Sequence, residues 1–180
     1  MTQKTRLAIR AATTADAAAV LGLIRSAYRG ESSRAGWTTE ADLVADDRID
    51  EAGLLSKIEH PQGVIFVAHD DGGRLAGCCE LVRLEKGDSA YFGLFAVDPT
   101  RQAGGIGRSI LAHAEGEAKA VWGVGRIELR VIWTRSELID WYVRRGYLDT
   151  GRTEPFPYED LVNGKALRND LHFAILEKVL

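Results

Sequence analysis

The sequence predicts an α/β protein: one mixed β-sheet with helices on both faces. Three observations carry this. Residues 64–97 hold three successive apolar runs separated by short turns, the pattern of an antiparallel meander. Helical periodicity flanks the meander on both sides. The last of the three runs, beginning near Ala90, passes through a glycine-rich turn straight into an amphipathic helix, so at least one connection is a crossover. There are too few crossovers for a doubly wound nucleotide fold, and the 180 residues are expected to form one domain over 1–180.

The elements follow in order. Residues 5–11 read as a short strand, Leu7 and Ile9 alternating with charged neighbours. Thr13 or Thr14 is expected to cap a helix to about Tyr28, with Ala17, Val20, Leu21, Ile24, Ala27 and Tyr28 on one face and Gly30 as its stop. Residues 31–37 are polar with one large aromatic, Trp37, and read as a loop. Thr38 or Thr39 should cap a second helical stretch to about Arg48, and a further piece should run from Glu51 to Glu59.

Strands follow at 64–68 and 75–84, joined by Asp70-Asp-Gly-Gly73, and a third begins near Ala90 after the Gly87-Asp88 turn. Beyond the helix, Ile127, Leu129 and Val131 alternate with charges over 126–133, a half-buried strand. A short helix starts at Arg135 or Ser136 and stops at Gly146. Residues 147–155 are extended, 156–164 form a loop, and 170–179 alternate as the last strand.

Composition narrows the function classes. Hydrophobic residues make up 46% and charged residues 27%, ordinary for a globular protein, and the net charge of -3 offers no general attraction to nucleic acid or an anionic membrane. The N-terminus lacks a signal-type apolar core and no apolar run reaches membrane-spanning length, so a cytoplasmic location is expected. The two cysteines, Cys78 and Cys79, are strand neighbours facing opposite ways, which suits buried small hydrophobes and neither a disulfide nor a metal site. No bound metal is expected.

The chemistry-bearing stretch is 91–121. A strand that enters a helix through Gly104, Gly105 and Gly107 is suited to an anion: the first N–H groups of the helix lack internal partners, its dipole favours negative charge, and glycine admits close approach. Three phosphate motifs compete. A Walker A loop fails because no lysine follows the glycines. A dinucleotide fingerprint fails because Ile110 stands where a third small residue is needed. The pattern Q/R-x-x-G-x-G/A after a strand ending in V-x-P is met by Gln102, Gly105 and Gly107 after Val97-Asp98-Pro99. Only this register fits, since starting at Arg101 would put Ile106 at a small-residue position.

These residues resemble the central signature of the GNAT (GCN5-related) N-acetyltransferase family. The element order is similar to that family's fold along nearly the whole chain, and Leu138-Ile-Asp-Trp-Tyr-Val-Arg-Arg-Gly-Tyr147 resembles its second motif. The resemblance implies a GNAT-like acyl-CoA N-acyltransferase fold and acetyl transfer from acetyl-CoA to a primary amine of a small molecule or peptide, by direct attack in a ternary complex. The competing class is an acyl-CoA-binding or sensor module of the same fold that has lost turnover. No nucleic acid or membrane partner is implied, and the choice between monomer and homodimer stays open.

By the same resemblance, the pantetheine arm of CoA lies in a gap between two splayed strands, along Phe95, Ala96 and Val97. The backbone of Gln102, Ala103, Gly104, Gly105, Ile106, Gly107 and Arg108 cradles the pyrophosphate. Tyr142 matches the tyrosine that protonates the departing thiolate, a useful role because a phenol with pKa about 10 can donate to a thiolate whose conjugate acid has pKa about 8.5. The chain departs from the family in three places. Arg135 stands at a position where asparagine is common, Leu138 where alanine is common, and Tyr91 where some members carry a glutamate base. Glu80, between Cys79 and Leu81, is therefore the candidate base, with Glu31 second. Arg135 is left between a CoA-phosphate contact and a solvated surface role.

The acceptor site of such folds is built from the loop after the first helix and the connection between the last strands. The candidates are Glu31, Trp37, Tyr91 and Phe156, with Tyr28 and Tyr158 as further apolar walls and Arg34, Glu154, Glu159 and Asp160 as further polar groups. Mixed charge of this kind suits a small amine that also carries an acidic group, and equally suits ordinary surface loops.

Overall fold

A computed structural model describes residues 6–85 and 88–180. The chain runs β1 (Ala8–Ala11), α1 (Ala17–Tyr28), α2 (Gly30–Ser33), β2 (Val44–Ala45), α3 (Glu51–Ile58), β3 (Gly63–His69), β4 (Leu75–Arg83), β5 (Ser89–Val97), α4 (Ile106–Ala120), β6 (Arg126–Ile132), α5 (Ser136–Val143), β7 (Leu148–Pro155), β8 (Lys165–Ala166) and β9 (His172–Val179). Seven strands form one sheet in the order β1-β3-β4-β5-β6-β9-β7, and β2 pairs separately with β8. Only β5 and β6 run parallel, joined by the α4 crossover; the other pairings are antiparallel.

Local chemistry sets the ends of the helices. The Asp16 carboxylate accepts from the Thr13 N–H at 2.8 Å and opens α1 through a short 3-10 turn. Asp50 accepts from the Gly53 N–H at 2.7 Å and caps α3. Gly30 adopts a left-handed φ of 66° but does not end the helical region, because α2 begins on it at once, making 30–33 a helical turn and not a loop.

The sheet separates two cores. On one face α4 and α5 bury Ile106, Ile110, Leu111 and Tyr142 against Phe66, Cys79, Leu81 and Phe92. On the other, α1 and α3 bury Val20, Ile24 and Leu54 against Ile65, Val67, Cys78 and Leu94. Each large aliphatic side chain buried in this way stabilises the fold by roughly 1.5–3 kcal/mol. Cys78 and Cys79 face opposite cores as the strand alternation requires, both are fully buried, and burial pushes the Cys78 thiol up to about 12.

The second helical stretch expected over 38–48 does not form. Leu43 and Val44 instead pack with Ile132, Phe156 and Leu171, and Val44–Ala45 pairs with Lys165–Ala166. Glu40 and Asp46 are drawn to Arg29, and Arg48 takes φ 64°, which no α-helix accommodates. Tertiary ion pairing has overridden helical propensity. Among the described residues, no helix is long and apolar enough to cross a membrane. The Gly87-Asp88 turn lies partly outside the described residues.

Candidate active site

The site is a consequence of incomplete pairing. β5 and β6 are in register at Ser89/Arg126, Ala90/Ile127 and Tyr91/Glu128, and then part. At the divergence β5 carries an irregularity against β4 between Cys78 and Glu80, with Leu94 in the left-handed region at φ 45°. The gap between the separated strands opens into a cavity of about 450 Å³. Beyond the bulge, Asp98 N–H bonds to Ala76 O, and by the antiparallel alternation the backbone of Ala96 also faces β4 while that of Phe95 and Val97 faces the gap. Phe95 and Val97 accordingly line the cavity. The Ala96 side chain is buried under α1, so Ala96 is not part of the wall.

One end of the gap is closed by the glycine turn. A 3-10 segment, Pro99–Gly104, is capped by Asp98 and ends at Gly105, whose φ of 75° is available to glycine at little cost. α4 then starts without a side-chain cap and without an acidic residue in its first turn, so its first N–H groups remain unpartnered by the helix. Gly105, Gly107 and Arg108 line the cavity here, and a Cβ at Gly107 would lie 3.2 Å from the Phe95 ring. Gly104 is exposed and outside the wall, while Ile106 sends its side chain into the core and offers only backbone. Ala103 lies within the same 3-10 segment.

Gln102 does more than begin the motif. Its Oε1 accepts from the Trp37 N–H at 2.9 Å, and its Nε2 donates to Val97 O at 3.4 Å. This ties the α2–β2 connection to the end of β5 and sets Trp37 against Trp141, ring centroids 6.3 Å apart. Phe95 in turn lies 6.0 Å from Trp141. The Arg145 guanidinium covers the other side of Trp141 at 3.5 Å and also reaches the cavity.

Tyr142 projects from α5 into the cavity. It is 4% exposed, packs edge-on against Trp141 and Tyr147, and burial holds its phenol pKa well above the ordinary value. It therefore stays protonated at neutral pH. Tyr91 also lines the cavity, its hydroxyl lying over Gly93, where a Cβ would come within 2.5 Å of it. The Arg130 guanidinium stacks on the Tyr91 ring at 4.8 Å.

The far wall is charged. Glu40, 7% exposed, is held between Arg29 and Arg135, the latter at 2.6 Å, and Asp46 accepts from Arg29 Nε at 2.5 Å. Burial acts to raise the Glu40 pKa, but Arg135, Arg29 and Arg48 outweigh it and hold the carboxyl below its usual range. Arg135 also donates to Thr38 Oγ1 at 2.8 Å. It neither faces water nor extends toward the glycine turn; it is buried as the anchor of the Thr38–Glu40 segment.

Two expectations are corrected. Glu80 is buried, but its carboxylate is bound by Lys57 Nζ at 2.7 Å and is not part of the cavity wall, because it faces α3 beneath the sheet. Glu31 lies on the surface, paired with Arg34, which in turn binds Asp42. Among the other acceptor candidates, Tyr28, Trp37, Phe156 and Asp160 line the cavity. Tyr158 does not; its hydroxyl accepts from the Leu171 N–H at 2.8 Å, and Glu154 is committed to Arg130. Sequence reading missed Arg29, Glu40, Asp46 and Arg48. For the last three the only signal was the density of charge over 40–48, which reads equally as a solvated face.

Residues 23–147 match the acetyltransferase (GNAT) family. The chain belongs to that family. It is therefore an acyltransferase enzyme by descent, of a family that uses acetyl-CoA. Among solved structures, it is similar to a spermidine N-acetyltransferase from Vibrio cholerae in complex with CoA and spermine, at 18% identity and TM-score 0.69, over 96% of this chain and 95% of that one. The ribosomal-protein-S18-alanine N-acetyltransferase of Escherichia coli is similar at 18% identity and TM-score 0.69, over 97% and 94%. A nourseothricin acetyltransferase matches at 21% identity and TM-score 0.56, over 66% of each chain. These likenesses are to fold; the named acceptors differ widely. Compared by sequence, no curated protein matches the chain.

Proposed function

We propose that this enzyme transfers an acetyl group from acetyl-CoA to the primary amine of a small molecule by direct attack in a ternary complex. The observation that carries the reading is the continuity of one gap from the uncapped N-terminus of α4 to the hydroxyl-bearing end of Tyr142. Acetyl-CoA supplies a thioester whose carbonyl carbon accepts the amine. The residues fit it: the first N–H groups of α4, Arg108 and Arg145 suit the pyrophosphate, and the space a Cβ at Gly107 would fill is open to it. The free backbone groups of Phe95 and Val97 suit the pantetheine amides as an added strand would. Trp37, held by Gln102, closes over the same channel.

The amine nitrogen forms its bond to the carbonyl carbon, the C–S bond breaks, and Tyr142 gives its proton to the departing thiolate. The amine proton leaves through solvent in the cavity, which returns a proton to Tyr142. Glu80 takes no direct part, being bound to Lys57 away from the cavity. Cys78 and Cys79 are both buried in the two cores and offer no nucleophile. A sensor module without turnover would have no need of a protonated phenol in the channel.

The test is a screen of amines with acetyl-CoA, reading thiol release, alongside melts with CoA, ATP and NAD. Stabilisation by CoA with turnover of at least one amine is expected. Tight CoA binding with no turnover on any amine would favour the sensor module, and protection by ATP or NAD alone would remove the CoA assignment.

A further inference from the structure

Resting on the acetyl-transfer reading, we infer that the acceptor amine carries an anionic group, a carboxylate in the simplest case, seated on Arg48. The charges on the far wall are unevenly paired. Glu40 is shared by Arg29 and Arg135. Asp46 accepts from Arg29 Nε, the Arg48 backbone N–H and the Val162 N–H. Arg130 is committed to Glu154. Arg48 is left over: it lines the cavity, yet among the described residues its guanidinium makes no ion pair and no side-chain hydrogen bond, only a cation–π contact with Tyr28 at 5.1 Å. The undescribed positions, 1–5 and 86–87, contain no Asp or Glu that could serve it.

Arg48 feels Glu40 and Asp46 through space but has no carboxylate bonded to it, so its donors are open to a ligand, and its planar fork matches a carboxylate in two parallel bonds. Its backbone is also held at φ 64°, a conformation that a non-glycine residue keeps only when its surroundings enforce it. The anion is not that of CoA, because the phosphates belong at the α4 N-terminus, while Arg48 arrives from the β2–α3 connection beside Tyr28 and Tyr91. Asp160, exposed on the wall and without an ion pair among the described residues, offers a counter-charge for an ammonium. The same cavity is lined by Tyr28, Phe156, Pro157, Leu161 and Phe173, which suit an apolar body. An amino-acid-like acceptor meets all three requirements; a polycationic amine would meet Arg48 with like charge.

The experiment compares the common L-amino acids with their carboxamides and with spermidine. Binding to CoA-saturated enzyme is followed by calorimetry, and turnover with acetyl-CoA. At least one amino acid should bind and react about 10- to 100-fold better than its amide. Arg48→Gln should abolish that preference, and Arg48→Lys should restore part of it, with CoA binding unchanged in both. Equal or better use of amides or spermidine by the wild-type enzyme would overturn the inference while leaving acetyl transfer intact, and this comparison needs no variant to fold. Binding of a carboxylate that depends on Arg48, with no turnover of any amine tested, would instead sustain the anion seat and count against the acetyl-transfer reading. Absence of any carboxylate binding would overturn the anion seat outright.

Discussion

Tyr142 owes its chemistry to its surroundings. In water a phenol would be an ordinary weak acid, but here Trp141 and Tyr147 flank it edge-on and burial disfavours the phenolate, so its proton is retained, as the proposed protonation of the thiolate requires. Tyr142→Phe should therefore lower kcat by about 100-fold, within the usual range for a general acid. The dissociation constant for CoA should stay the same, and steady-state kinetics beside calorimetry would show it; an unchanged kcat would end the general-acid assignment. Gly107 makes the complementary case, a residue that works by what it lacks. A Cβ there already approaches Phe95 to 3.2 Å, so Gly107→Val should fill the entrance of the channel. The KM for acetyl-CoA should rise by about 10-fold or more, equivalent to roughly 1.4 kcal/mol of lost binding.

Among the elements, the connection from α2 to α3 departs furthest from a pattern-based reading. It is held by charge and not by helical hydrogen bonds: Glu40 joins Arg29 on α1's end to Arg135 at the start of α5, and all three side chains are about nine-tenths buried. Removing the shared carboxylate leaves buried Arg135 without an ion pair and Arg29 with Asp46 alone. Glu40→Ala should cost about 3–5 kcal/mol, seen as a lower denaturant midpoint, whereas truncating exposed Glu31 should change stability by less than about 1 kcal/mol. Similar losses from the two variants would mean that Glu40 is not the centre of the network. The glycine turn and α4 behave in the opposite way. Their conformation is local, set by Asp98, Gly105 and the apolar stripe of Ile106, Ile110, Leu111, Ala114 and Ala118; the turn and the helix were legible in sequence, the Asp98-capped 3-10 segment was not.

At the scale of the whole molecule, the buried titratable groups define a window of pH stability. Glu40 and Asp46 have depressed pKa values in the fold, so their contribution is present above the ordinary carboxylate range and is lost as pH falls through their lowered values. Tyr28, Tyr91, Tyr142 and Tyr147, with Cys78 and Cys79, have raised values. Their contribution is present below about pH 8.5–10, where the unfolded groups ionise, and is lost as pH rises toward the folded values. Chemical denaturation across pH should show a plateau with falls on both sides, the alkaline one beginning above about pH 8.5. Turnover should still rise with pH inside the plateau, because the attacking amine must be neutral. A rate that falls between pH 7 and 9 while the fold persists would contradict a protonated Tyr142 as the acid.

The division between sequence and tertiary structure follows from range. Periodicity, turn residues and the Gln102-Gly105-Gly107 spacing are local, so the meander, the α4 crossover and the glycine turn could be read directly from the chain, while Tyr142 was marked by the resemblance of its motif. The parting of β5 from β6 after Tyr91, the stacking of Trp37 on Trp141 and the exclusion of Glu80 from the cavity could not. Each depends on which residues from distant segments meet. The charged wall is the clearest instance. Glu40, Asp46 and Arg48 have the composition of a solvated helix, and only the arrival of Arg29 and Arg135 turns two of them into a buried network and leaves the third without a carboxylate. The proposed donor half of the site is built from backbone geometry, which short motifs specify. The proposed acceptor half is built from long-range charge pairing, and only folding decides which charge is left over.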